Sequence, residues 1–148
     1  MNLADEIIIP GQLDTVFNSL IDPEVLKRCI PGCEELEKTS DTDFAAKVVL
    51  KIGPVKAKFS GTVSLDVSRA PYHLTLSGAG DGGLAGFAKG GADVELVDQG
   101  NETLLRYSAT AETGGKIAQL GARLIESTAK KLSKAFFNNF EKIMIGEE

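Results

Sequence analysis

The chain has 148 residues, a formal net charge of −5, 43% hydrophobic and 25% charged residues, and two cysteines. This is the composition of one soluble domain with a sizeable core, so residues 1–148 are read as a single domain. The acidic balance excludes a nucleic-acid partner, which needs clustered positive charge, and no apolar run approaches the roughly 20 residues of a membrane span.

The N-terminal Met1-Asn2-Leu3-Ala4-Asp5-Glu6 is acidic rather than a secretory leader, so a cytoplasmic location is expected. Residues 3–9 read as a strand with Ile7 and Ile9 inward, ended by Pro10-Gly11. Leu13, Val16, Phe17 and Leu20 fall at i, i+3, i+4 and i+7, a short amphipathic helix. Asp22-Pro23-Glu24 is a helix start, with Asp as N-cap, Pro in the first turn and Glu facing the helix dipole. A second short helix therefore runs to about Cys29, and Pro31-Gly32 stops it. Residues 33–38 are a weak strand.

Two strands follow with strict alternation. Phe44, Ala46, Val48, Leu50 and Ile52 mark one inner face, and Val55, Ala57, Phe59, Gly61, Val63, Leu65 and Val67 the next. A two-residue loop at Gly53-Pro54 pairs Ile52 with Val55, and the apolar parity of both strands agrees with that register. Pro71 opens a strand with Tyr72, Leu74 and Leu76 inward. Ala92, Val94 and Leu96 form the inner face of another. After a turn at Gln99-Gly100, Thr103, Leu105, Tyr107, Ala109 and Ala111 form the last, with Leu96 opposite Thr103. Residues 114–146 contain no proline and carry Ile117, Leu120, Leu124, Leu132, Phe136 and Phe140 at helical spacing. They read as one helix of about 30 residues, roughly 45 Å long, which needs a broad apolar surface to lie on. The order predicts an α+β helix-grip architecture. About seven antiparallel strands form a curved sheet wrapped around a long C-terminal helix, with two short helices after the first strand.

Few motifs carry chemistry. Gly78-Ala79-Gly80-Asp81-Gly82-Gly83 mimics a dinucleotide fingerprint, with Asp98 about 20 residues on. It lacks the crossover helix that a parallel unit requires, so a glycine-rich hairpin or bulged strand is expected there, a mobile gate over a cavity being the other reading. Cys29 and Cys33 are spaced Cys-x3-Cys, unlike a redox pair, and one histidine cannot complete an ordinary zinc set. Parity places His73 on the outer face. No carboxylate pair converges, so acid–base or nucleophilic catalysis has little residue support and no enzyme is expected.

The inner faces mix bulky residues with Ala46, Ala57, Gly61, Gly78, Ala92, Ala109 and Ala111. Small residues opposite a long helix signify either close packing or a void. An apolar void with a few polar atoms is a usual ligand site. Strand parity and helix spacing select Val48, Phe59, Val63, Leu74, Leu76, Val94, Leu105, Tyr107, Leu120, Leu124 and Thr128 as candidate ligand-binding residues.

Several segments together resemble the CoxG family, the G-subunit family of carbon monoxide dehydrogenase. They are Asp22-Pro23-Glu24, Cys29-Ile30-Pro31-Gly32-Cys33-Glu34, Ile52-Gly53-Pro54-Val55, Phe59-Ser60-Gly61 and Gly114-Gly115-Lys116-Ile117-Ala118-Gln119-Leu120-Gly121. The resemblance implies a START-like helix-grip fold of the Bet v 1 and polyketide cyclase group, with an apolar cavity between sheet and C-terminal helix. It further implies an accessory protein of a molybdenum hydroxylase that handles a lipophilic ligand, a quinone or a lipid, with no covalent cofactor. The alternative is a ligand-free assembly or membrane-recruitment module. Peripheral contact with the inner membrane face is thereby left open, but family members often continue into an apolar C-terminal tail, and this sequence stops at Glu148. No anchor is expected within this chain.

Overall fold

The computed structural model describes residues 1–146. β1 (Asn2–Pro10) leads into α1 (Leu13–Leu20) and α2 (Pro23–Cys29). Then come β2 (Cys33–Lys38), β3 (Asp43–Ile52), β4 (Val55–Asp66), β5 (His73–Asp81), β6 (Phe87–Gln99), β7 (Glu102–Gly114) and α3 (Ala122–Met144). The seven strands form one sheet in the order β1-β7-β6-β5-β4-β3-β2, every neighbouring pair antiparallel. β2 to β7 is an uninterrupted meander, and β1 closes onto β7. α3 lies against the inner face and touches β1 on one side and β3 on the other, the grip that the strand order and the lone long helix predict.

The local signals act as their chemistry dictates. Asp22 caps α2, its Oδ1 accepting from the Glu24 amide at 2.9 Å, with Pro23 in the first turn. Leu13, Val16, Phe17 and Leu20 are all buried. The β3–β4 hairpin turns at Gly53, whose φ of +58° suits glycine, and pairs Ile52 with Val55. The Gly-x-Gly-x-x-Gly stretch runs through the end of β5 into a tight hairpin to β6, so the segment lacks the crossover of a nucleotide fold.

Three expectations are corrected. The C-terminal helix is shorter than its apolar spacing implied. It covers 23 residues, about 35 Å, and begins at Ala122. Ile117–Leu120 form a separate 3-10 turn, and Gly121, at φ +97°, breaks the path between them. Tyr72 is exposed rather than inward. It lies in the turn before β5, where its amide and that of His73 both donate to the Arg69 carbonyl, so strand parity does not reach it. Finally, the β6–β7 turn uses Gly100-Asn101, not Gln99-Gly100. Leu96 therefore opposes Leu105, and Thr103 opposes Asp98. The shift is by two, which keeps the same side chains on the inner face.

The main core gathers α1, α2, the C-terminal half of α3 and the sheet floor around Ile9, Val16, Phe44, Leu105 and Phe140. Thr103 is the buried polar residue there, and its Oγ1 donates to the Gly11 carbonyl at 2.8 Å. Asn139 ties α3 to α2, its Nδ2 donating to the Cys29 carbonyl at 3.1 Å. A second, smaller cluster of Ile52, Phe59, Ala85 and Ile117 sits at the opposite end.

Candidate functional site

Between the inner sheet face and the N-terminal half of α3 the side chains do not meet. They line a cavity of about 640 Å³, within the usual range for a small-molecule site. Its sheet wall alternates along each strand. β4 contributes Phe59, Gly61 and Val63; β5 contributes Leu74, Leu76, Gly78 and Gly80; β6 contributes Gly90, Ala92 and Val94; β7 contributes Leu105, Tyr107, Ala109 and Ala111. The void follows from these small residues. Gly78, Gly80, Gly90, Ala92, Ala109 and Ala111 leave a hollow across the three adjacent strands β5, β6 and β7.

The helix wall is two parallel rows of i, i+4 neighbours. One is Thr128, Leu132 and Phe136; the other is Ile125, Ala129, Ser133 and Phe137. The second row went unread in the sequence, because Ala129 and Ser133 interrupt its apolar character. The Phe136-Phe137 doublet was the available sign that the stripe is two rows wide. These aromatics also close one end of the cavity. Tyr107 stacks on Phe137 with centroids 5.3 Å apart, Phe137 meets Phe136 edge-on at 5.1 Å, and Phe136 stacks with Phe140 at 6.3 Å.

Of the candidate residues, Val48, Phe59, Val63, Leu74, Leu76, Val94, Leu105, Tyr107 and Thr128 come together on the wall. Leu120 and Leu124 do not. They pack against the smaller cluster with Ile52 and Phe59, because the helix starts later than its spacing implied and Leu120 belongs to the preceding turn. Polar groups on the wall are sparse. The Thr128 hydroxyl is already engaged, donating to the Leu124 carbonyl at 2.9 Å. Lys89 reaches the wall from β6, with its Nζ 3.4 Å from Glu112.

Among the described residues, no group of three or more His, Cys, Asp or Glu side chains is placed to hold a metal ion. Cys29 and Cys33 are free thiols. Burial pushes the Cys29 thiol up to about 11, partly opposed by Arg28, and burial also raises Cys33, whose Sγ donates to the Glu35 carbonyl. Burial thus favours the protonated form of both thiols, more strongly at the fully buried Cys29. His73 is the register partner of Glu95 on the face opposite Leu74. No described helix is long and apolar enough to cross a membrane.

The fold is shared widely. A conserved protein from Geobacillus kaustophilus is 32% identical, covers 98% of this chain and 95% of its own, and superposes with a TM-score of 0.90. A START superfamily protein from Mycobacterium smegmatis superposes with a TM-score of 0.68 at 15% identity, over 96% of this chain and 98% of its own. The Zhui aromatase/cyclase from Streptomyces sp. R1128 does so at 0.67 and 10% identity, over 100% and 99%. At such identities these two show the fold alone, a START/Bet v 1-like helix grip. No curated protein sequence matches the chain. The family described as the G subunit of carbon monoxide dehydrogenase (CoxG) matches residues 6–145. With that match spanning nearly all of its helix grip, the chain belongs to the CoxG family of carbon monoxide dehydrogenase.

Proposed function

We propose that this protein is a non-catalytic accessory protein of a molybdenum hydroxylase of the carbon monoxide dehydrogenase type, and that it carries a lipophilic molecule, a quinone, in the cavity under α3. The observation that carries this reading is the apolar void of about 640 Å³ between sheet and helix. A filled core would have been more stable, since each unfilled methyl-sized gap costs about 1 kcal/mol. Its chemistry suits a ligand with a long apolar body. Apolar residues, from glycine and alanine to leucine and phenylalanine, form most of the wall, and Tyr107 offers one hydroxyl that a carbonyl oxygen could accept from. Family membership supports the hydroxylase as the partner served.

The wall also argues against chemistry in the cavity, although a structural neighbour is an aromatase/cyclase. The titratable side chains that reach it are Tyr107 and Lys89, and Lys89 is paired with Glu112. Proton transfer needs a positioned acid or base, and no carboxylate, histidine or cysteine among the described residues lines the wall.

The test is uptake of a short-chain benzoquinone, followed by native mass spectrometry, in the wild type and in Ala109→Leu. Ala109 lines the void opposite Ala92, so leucine fills space rather than displacing neighbours. We expect folding stability to stay within about 1 kcal/mol and quinone retention to fall at least about tenfold. Absence of uptake by the wild type, or uptake indifferent to the filled cavity, would favour a ligand-free assembly module instead.

A further inference from the structure

Polar atoms are unevenly spread around the cavity. Its aromatic end, where the Tyr107 and Phe137 rings stack 5.3 Å apart, carries two hydroxyls. One is that of Tyr107 on β7, and the other that of Ser133 on α3, one helical turn before Phe137. Among the described residues neither hydroxyl has a hydrogen-bond partner, whereas Thr128 on the neighbouring row donates to the Leu124 carbonyl at 2.9 Å. No buried side-chain nitrogen or oxygen among those residues lacks a partner. Both hydroxyls therefore open onto the space they line rather than lying sealed in the wall.

The charged groups of the wall stand elsewhere. Lys89 is paired with Glu112, and the Met1 ammonium donates to the Ala111 carbonyl at 3.1 Å. Ala111 and Glu112 lie about 13–17 Å beyond Tyr107 along β7, at roughly 3.3 Å per residue, and the hydroxyl of Thr113 belongs to that far end as well. Asp5, opposite Tyr107 on β1, is exposed, and its Oδ1 accepts from the Glu6 amide at 2.8 Å. The aromatic end thus offers ring faces and two hydroxyls. A hydroxyl both donates and accepts. A lysine in its place would only donate and a carboxylate would only accept, so either would favour one form of a ring that gains and loses hydrogen.

We propose that Tyr107 and Ser133 seat a ring oxygen of the carried quinone at the aromatic end, and that this pair holds the oxidised and the reduced ring about equally. Toward the quinone the hydroxyls donate to a carbonyl, and toward the hydroquinone they accept from its O–H. The chain of the ligand then runs beneath Ala129 and Ile125 toward the glycine-lined strands, about 12 Å from Ser133 at 1.5 Å per residue. No electron or proton moves in this step, and the site exchanges one form for the other without changing its own charge. The inference rests on the carrier reading and deepens it, since a carrier that delivers one form and takes away the other must be trapped by neither.

The test compares three probes by isothermal titration calorimetry: decylbenzoquinone, its hydroquinone under anaerobic reduction, and decyl-para-xylene, which has methyl groups where the ring oxygens stand. We expect the wild type to bind quinone and hydroquinone within about threefold of each other, and both at least about fivefold more tightly than the xylene. Tyr107→Phe combined with Ser133→Ala keeps the ring stack and introduces a good helix former. It should lose at least about fivefold for both oxygenated probes and leave the xylene unchanged. The C=O stretch of bound quinone should fall below its value in hexane in the wild type and return to it in the double variant. Oxygenated probes that bind the double variant as tightly as the wild type, or a preference beyond about thirtyfold for one form, would overturn the proposal and leave the carrier reading standing. Failure of all three probes to bind the wild type would instead overturn the carrier reading, and this inference with it.

Discussion

The two halves of α3 carry the same kind of sequence and do different things. From Phe136 to Met144 the inner face packs against α1, α2 and β1, and Phe140 is completely buried. From Ile125 to Ser133 the same face looks into the cavity. The apolar repeat does not change along the helix, since Thr128, Leu132, Phe136 and Phe140 follow one another at four-residue spacing. What changes is the opposite wall. Under the second half, α1 and α2 fill the space. Under the first half, the sheet offers Gly78, Gly90, Ala92, Ala109 and Ala111. An amphipathic stripe therefore states which way a helix faces, and the partner surface decides whether that face becomes core or container.

The sharpest way to break this comparison is to truncate one residue in each half. Phe140→Ala should cost about 3–5 kcal/mol in chemical denaturation, because it opens a hole in a packed region. Leu132→Ala should cost less than about 1.5 kcal/mol, since it enlarges a void that already exists. Equal losses would mean that the first half is as tightly packed as the second. A smaller effect separates the two threonines. Thr103→Val removes the donor to the partly buried Gly11 carbonyl at the packed end and should cost about 1–3 kcal/mol. Thr128→Val removes a hydroxyl that bonds only its own helix, and thermal melts should place it within about 0.5 kcal/mol of wild type.

The smallest effect concerns the thiols at the packed end. Burial raises the Cys29 thiol from 9.0 to about 11. A raised value means that the fold favours the protonated thiol. That contribution is fully present below pH 9 and is lost as pH rises through 11. Alkylation of native protein near pH 8 should therefore label Cys33 well before Cys29, and Cys29 should react only on unfolding. Equal labelling would show that α2 opens readily and that this end is looser than its packing implies.

Much of this was legible in the chain. Ile52 opposite Val55 followed from parity and a two-residue turn, and Asp22-Pro23 started α2 where capping chemistry placed it. Local rules suffice there because each depends on neighbours in sequence. They failed where a glycine outweighed a periodic pattern. Ile117 and Leu120 kept helical spacing, yet Gly121 held the left-handed backbone that ended the run, and the start of α3 moved to Ala122. Leu120 and Leu124 left the cavity wall as a result, while Ile125, Ala129, Ser133 and Phe137 entered it.

Periodicity and capping act over a few residues, and they were enough to specify the inward faces of the strands, the short helices and the existence of a long amphipathic helix. That the small residues of β5, β6 and β7 lie side by side beneath half of that helix came from the packed fold alone. It depends on register and on contacts between residues far apart in the chain, and no local pattern encodes the empty space between two surfaces.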